Sequence, residues 1–353
     1  MHIIKRKPLM MRSFIKSIFS SASPEGMRVN QLAISLEKKE TVLSASLRNG
    51  INFPYSCKVG GCAECKCKLI KGKVKEFTDA SYLLTAEEVQ SGYILACQSV
   101  PKTDDVEVEV DLSRAKKRIN RGRIVGKTEL THDITAIEIE LDEVPIFKAG
   151  QYAKLSLDCL PGVTRAYSFA SKPNAENTRV KFIIRHVPNG EFSGLVKRED
   201  LVNKSIELEG PFGDFFLRDS DNHMLLIAGG SGLAPILSIL EQAKEQNCQR
   251  AVTVILGART QADIYGLEEI LKISKNWPAS FEFEQVLSEE PESSSWQGPK
   301  GYLGEHLRSF ATYSSQVYLC GPPLMIDDCI NTLSSMGIPS SEMFADRFIV
   351  NSK

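Results

Sequence analysis

Four cysteines fall within eleven positions of this 353-residue chain: Cys57, Cys62, Cys65 and Cys67, in the run YSCKVGGCAECKCKLIKGKV. Thiols this close can form a disulfide knot, a zinc site or an iron–sulfur cluster. Nine cysteines is an odd number for a disulfide framework, and the start of the chain is not a clean export signal, so a reducing, cytoplasmic compartment is expected. A zinc site normally shows two C-x2-C pairs or Cys/His pairs, and no second pair occurs. Cys57, Cys62 and Cys65 instead have the spacing C-x4-C-x2-C, and Cys97 offers a fourth thiol on a later strand. That is the ligand spacing of a [2Fe–2S] cluster. Gly60, Gly61 and Ala63 between them allow backbone N–H groups to crowd the sulfurs and tune their potential. Cys67 lies off the pattern and reads as a buried strand residue.

A second chemical signal is IAGGSGLAPILSIL (227–240). It puts Gly229, Gly230, Ser231 and Gly232 between a buried strand and a helix, where the backbone can approach a pyrophosphate at a helix N-terminus. It is not G-x-G-x-x-G. Pro235 falls early in that helix, a position that tolerates proline.

The elements that must position these residues divide into three textures. Residues 28–35 alternate like a strand, TVLSASLRNG reads as a helix ending near Asn49-Gly50, and CKCKLIKGKVKEF reads as two strands joined at Lys71-Gly72. With a further short helix and strands this makes a small α+β unit, followed by a basic linker, SRAKKRINRGR. Short strands separated by turns then run to about residue 217, as in a small antiparallel barrel. From about 222, strand and helix alternate as in a doubly wound α/β layer. SEEPESSSWQGP (288–299) reads as a polar, mobile loop. The expected domains are a basic extension at 1–27, then 28–116, 117–219 and 220–353.

Composition is that of an ordinary globular protein, 42% hydrophobic and 25% charged. A net charge of −1 gives no support for nucleic-acid binding. No apolar run is long enough to span a membrane. The first 16 residues carry Lys5, Arg6, Lys7, Arg12 and Lys16 and no acid, and Met11, Phe14, Ile15 and Ile18 could face an anionic membrane surface. A frayed tail, or a start at Met27, is the plainer reading of that segment.

With these segments in order, residues 28–113 resemble plant-type ferredoxins and 117–353 resemble the ferredoxin–NADP reductase superfamily. The fused order resembles the reductase components of bacterial multicomponent oxygenases. The resemblance implies a β-grasp-like ferredoxin domain, an antiparallel β-barrel that binds FAD, and an α/β doubly wound domain that binds NAD(P)H. RAYS (165–168) matches the superfamily's R-x-Y-S flavin motif. By resemblance Arg165 neutralises the FAD pyrophosphate, Tyr167 packs on the isoalloxazine and Ser168 reaches toward its reactive nitrogen. On its own such a tyrosine is more often core. PNGEFSGL (188–195) resembles the next flavin segment: Gly190 permits a turn, and Phe192, Ser193 and Gly194 open a helix toward phosphate, unless Ser193 is a simple N-cap. GPFG (210–213) recurs in relatives as a turn at the barrel edge. LCGPPLMI (319–326) matches C-G-P-P-x-M, which implies that Cys320 lies against the nicotinamide and that Gly321 and Pro322 hold that side. A cysteine ending a buried strand is otherwise a small hydrophobe. In MFADRFIV (343–350), Phe348 is the aromatic expected to cover the flavin, with Phe344 as competitor.

GART (257–260) ends the strand at which relatives discriminate their coenzymes. It offers Arg259, then Asp263, and no basic cluster, so NADH is expected over NADPH. Arg259 either contacts adenosine ribose or is simply solvated. The expected protein is a monomeric reductase passing electrons from NADH to FAD, to a [2Fe–2S] cluster and on to a separate acceptor, foremost an oxygenase. A reductase serving a deoxysugar dehydratase shares the domain order. A non-enzymatic metal-binding adaptor with decayed reductase domains is the reading of a different class, and the intact RAYS, GGSGLAP and CGPP segments argue against it.

Overall fold

The computed structural model describes residues 26–112 and 118–348. Residues 1–25 of the basic extension, with its proposed membrane face, lie outside the described residues, as do residues 113–117 of the basic linker.

The first unit is a five-stranded sheet in the order Leu32–Ser35, Gly26–Val29, Glu107–Glu109, Lys66–Lys71, Tyr93–Leu95. Gly26–Val29 and Glu107–Glu109 run parallel, and the other neighbours are antiparallel. The expected single strand over 28–35 is a hairpin. Asn30 and Gln31 both have positive φ, 47° and 69°, which reverses the chain in two residues. Met27 is buried, so the domain already includes Gly26 and Met27. Helix Val42–Arg48 starts where the Thr41 hydroxyl accepts from the Ser44 N–H, and it buries Val42, Leu43 and Ala45.

The second unit is a six-stranded antiparallel sheet in the order Thr164–Ser168, Tyr152–Leu157, Ser205–Phe212, Arg118–Glu129, Ile134–Leu141, Arg179–Arg185. A bridge between Phe169 and Phe182 links its two edges, so the sheet curls into a barrel. The run of short strands expected from the sequence is present. The first begins earlier than expected, so Arg118–Arg123 belong to the barrel and not to a linker.

The third unit is a parallel sheet in the order Phe281–Leu287, Val252–Ala258, Met224–Gly229, Gln316–Gly321, Met343–Arg347. Met224–Gly229 is buried along its whole length, as a strand covered on both faces must be. Its Leu226 and Ala228 meet Leu233, Ile236 and Leu237 of helix Leu233–Glu245, while Leu225 and Ile227 meet Ile326 and Leu333 of helix Pro323–Ser335. Strand order reverses between Met224–Gly229 and Gln316–Gly321. Ligands of open α/β sheets bind in the crevice at such a reversal. The segment 288–299 is tied down by hydrogen bonds: Ser288 and Glu289 N–H donate to the Ala258 and Arg259 carbonyls, and Trp296 Nε1 donates to Pro299 O.

The cores are distributed unequally. The ferredoxin-like unit has its own core, from Met27 to Val110. One continuous core joins the other two units, running from Ile134, Ala149, Ile183 and Phe215 to Leu226, Leu237 and Tyr318.

Candidate electron-transfer site

The loop 57–65 is bent by positive φ at Lys58, Gly60 and Ala63, which curls its amides inward. Gly61 N–H donates to Cys57 Sγ at 3.2 Å, and the Val59 N–H reaches the same sulfur at 3.5 Å. Cys57 N–H meets Cys62 Sγ, and Cys97 N–H meets Cys65 Sγ, each at 3.5 Å. Cys97 is not on a strand. It sits in the turn between Tyr93–Leu95 and Ser99–Pro101, where Gln98 Nε2 also approaches its sulfur at 3.5 Å. A turn leaves the thiol free to aim across at Cys65.

The four thiols form two pairs. Hydrogen bonding from Cys62, helped by the loop amides, lowers Cys57 to about 6, and hydrogen bonding from Cys65, with Gln98, lowers Cys97 to about 7. Tetrahedral zinc, with bonds near 2.3 Å, would gather all four sulfurs within about 4 Å of one another. Among the described residues, the group with three or more ligand atoms within 4.8 Å of one another is His132, Asp133 and Asp263, not the cysteines. Two thiol pairs flanked by amides fit a two-iron cluster. Cys67 is buried on the strand beneath, its thiol pushed up by burial, as expected.

One side of this loop meets the barrel. Tyr152, buried, has its phenol pushed well up by burial and by the neighbouring Cys62. Gly213 N–H donates to Glu64 Oε2 at 2.9 Å, and Lys66 Nζ lies 3.3 Å from Asp214 Oδ2. The segment read only as a barrel-edge turn, GPFG, is therefore also the seat of the cluster loop.

On the barrel, RAYS forms the edge strand Thr164–Ser168. Arg165 is exposed, with a guanidinium 3.8 Å from Glu191, and Ser168 is buried. The Tyr167 ring lies 5.4 Å from that of Phe192, and burial pushes its phenol up. Helix Glu191–Arg198 begins at Gly190 with no side-chain cap. The Ser193 hydroxyl instead accepts from Val187 N–H at 3.1 Å, so it is not an N-cap and the first amides stay available to an anion. A cation, a half-covered aromatic and an uncapped helix start on one barrel edge fit a flavin nucleotide.

At the reversal of the parallel sheet, the glycines differ in purpose. A Cβ at Gly232 would lie 2.1 Å from the Cys320 carbonyl oxygen, and one at Gly229 2.4 Å from Met325 Sδ. These two exist so that the chain can pass its own neighbours. Gly230, at φ 54°, has open space with only Arg185 at 3.6 Å. Ser231 lies in the same turn, Gly230–Gly232. Cys320 is buried between Ala228 and Asp346, its thiol pushed well up by burial. It is therefore a neutral thiol. Gly321, at φ 150°, and Pro322 carry the chain into helix Pro323–Ser335. Phe348 is half-buried and its N–H donates to Gly321 O at 2.9 Å, while Phe344 lies against Tyr318 in the core.

Arg259 is not simply solvated. Its guanidinium donates to Asp263 at 2.7 Å and to Asp133 at 3.2 Å, and Asp133 also accepts from Arg185 at 3.1 Å. Both carboxylates of the His132 group are thus already neutralised by arginine.

Three family models match the chain in sequence: a 2Fe-2S iron-sulfur cluster binding domain over 28–102, an oxidoreductase FAD-binding domain over 121–217 and an oxidoreductase NAD-binding domain over 226–330. The chain is 37% identical over 348 residues to the xylene/toluene monooxygenase electron transfer component of Pseudomonas putida, covering 96% of this chain and 98% of the relative. It belongs to the family of iron–sulfur flavoprotein reductases. Another relative, the phenol 2-monooxygenase reductase component of Pseudomonas sp. (strain CF600), is 33% identical, covering 89% of this chain and 91% of its own. Among solved structures, the ferredoxin reductase in carbazole 1,9a-dioxygenase superposes with a TM-score of 0.66 at 28% identity, covering 92% of this chain and 98% of that one. The Amycolatopsis cytochrome P450 reductase GcoB gives 0.68 at 29% over the same shares.

The reductase is an NAD(P)H-dependent oxidoreductase whose electrons run from nicotinamide through FAD to the [2Fe–2S] centre. When bound, flavin accepts a two-electron hydride and gives up single electrons, which is what a one-electron cluster needs. Sequence reasoning missed several residues around this path. Asp346, register partner of Cys320, is pushed up to about 7 by burial, with the Cys57 sulfur adding repulsion. Its signal was an acid following the apolar run Met343–Ala345 in the terminal strand. Tyr152, Glu64, Asp133 and Arg185 carried no motif, because their partners lie far away in sequence.

Proposed function

We propose that this reductase takes NADH in preference to NADPH and delivers electrons to an oxygenase component. The coenzyme reading rests on Arg259. It is the cation nearest the end of strand Val252–Ala258, and it is already engaged by Asp133 and Asp263. A 2′-phosphate would have to displace two carboxylates that repel it. The expected result is a higher kcat/KM with NADH than with NADPH; equal or reversed values would overturn the choice.

The site residues take these roles in the proposal. Arg165 and the amides after Gly190 hold the FAD pyrophosphate, Tyr167 and Phe348 bracket its ring, and Ser168 lies beside the reacting edge. Gly230, Ser231, Gly321 and Pro322 border the nicotinamide dinucleotide, and Cys320 positions its ring as a neutral group. The oxygenase partner is supported by the relatives' names, which include monooxygenase and dioxygenase electron transfer components. Reduction of a co-purified oxygenase component by NADH through this chain would test it. A monomer in the cytoplasm completes the reading; nine unpaired cysteines support the reducing compartment.

A further inference from the structure

The two residues flanking the ligand Cys65 both leave their own domain. Glu64 is buried, 5% exposed, and its carboxylate accepts from Gly213 N–H at 2.9 Å. Lys66, itself steadied by Glu88 at 2.5 Å, reaches Asp214 at 3.3 Å. Gly213 and Asp214 are consecutive and end the barrel strand Ser205–Phe212, with Gly213 held at φ 94° over the Tyr152 ring. Tyr152 in turn adjoins Cys62. The unit carrying the cluster loop shares no core with the barrel, so these polar contacts do much to hold it there. Arg347 makes another polar contact between the units: it donates to Tyr82 O at 2.6 Å and is braced by Asp327.

We infer that Glu64 and Lys66 are positioning residues: they clamp the cluster loop onto Gly213–Asp214 and so fix the distance over which an electron enters the cluster from the flavin domain. A buried carboxylate needs hydrogen-bond partners from the barrel, and the Lys66–Asp214 pair adds directional attraction at its margin. A clamp placed on both sides of one ligand restrains that ligand more than a contact elsewhere on the domain would. The inference rests on the electron order proposed above.

The test uses the full holoprotein and the variants Glu64→Ala, Glu64→Gln and Asp214→Ala. Asp214→Ala loosens the clamp from the barrel side without touching the cluster loop. Glu64→Gln keeps an acceptor oxygen for the Gly213 N–H. Anaerobic mixing with NADH follows flavin bleaching and cluster reduction separately, and hydrogen exchange follows the Gly213 amide. Expected are unchanged flavin bleaching, an unchanged cluster spectrum and faster exchange at Gly213 in the alanine variants. Their cluster reduction should be slower by about tenfold or more, since ångström-scale misplacement can cost about 100-fold. Glu64→Gln should restore most of the rate. Cluster reduction and exchange at the original rates in both alanine variants would overturn the clamp. So would slowing confined to Glu64→Ala with an altered cluster spectrum, which would mean a role in cluster assembly alone. If the unaltered protein reduces flavin but never the cluster, the electron order fails instead, and exchange at Gly213 still decides the clamp.

Discussion

Cys67 and Cys62 are five positions apart and chemically identical, yet their surroundings assign them opposite work. Cys67 faces a closed core on strand Lys66–Lys71, away from the bent loop and its inward-turned amides. Cys62 belongs to a loop bent by three left-handed residues around a paired sulfur. Cys67→Ala should therefore retain about two iron and two labile sulfides per chain, and Cys62→Ser should lose the cluster or hold it weakly. Metal and sulfide analysis after anaerobic purification checks both, and loss of iron from Cys67→Ala would contradict the assignment. The ligand cysteines were legible because their spacing is local. Arg259 was only half legible: the arginine and Asp263 are four residues apart, but Asp133 arrives from another domain.

At the scale of elements, what the sequence revealed depended on whether the reason for an element was local. The six barrel strands and the alternating strands and helices of the last unit announce themselves by pattern. The hairpin at Asn30-Gln31 did not, because two left-handed non-glycine residues interrupt a run that otherwise looks continuous. The 288–299 segment looked loose because its hydrogen bonds go to backbone some 30 residues earlier. The glycine turn at 229–232 was legible as a motif, though two of its glycines serve packing between neighbouring strands and helices. Gly232→Ala forces the turn away from the Cys320 carbonyl, since a Cβ at 2.1 Å cannot be accommodated. Overpacking of this kind typically costs about 1–3 kcal/mol. Thermal unfolding should show a lowered Tm, and flavin reduction by NADH should slow because the strand end carrying Cys320 shifts. An unchanged Tm together with an unchanged rate would show that the turn relaxes freely.

The whole molecule divides where its cores divide. The expected boundary at 219/220 is crossed by a shared core: the barrel keeps an interior cluster of its own, but another set of buried side chains runs without a break from the barrel into the nucleotide-binding sheet. The ferredoxin-like unit keeps a core of its own and meets the rest through a few polar contacts near Cys65 and Arg347. No sequence pattern announced that asymmetry, because it depends on which surfaces meet. It predicts that residues 117–353 fold without the first unit, hold FAD and accept hydride from NADH, while the electron outlet is lost.

The most direct test of the proposed order is anaerobic stopped-flow mixing of the full chain and of residues 117–353 with NADH, with freeze-quenched paramagnetic-resonance samples taken in parallel. In the full chain, flavin absorbance should fall first and a rhombic [2Fe–2S] signal should grow afterwards. In 117–353, the flavin should bleach at the same rate with no such signal. A cluster signal that precedes flavin reduction, or a truncated chain whose flavin NADH cannot reduce, would contradict the path from nicotinamide through flavin to the cluster.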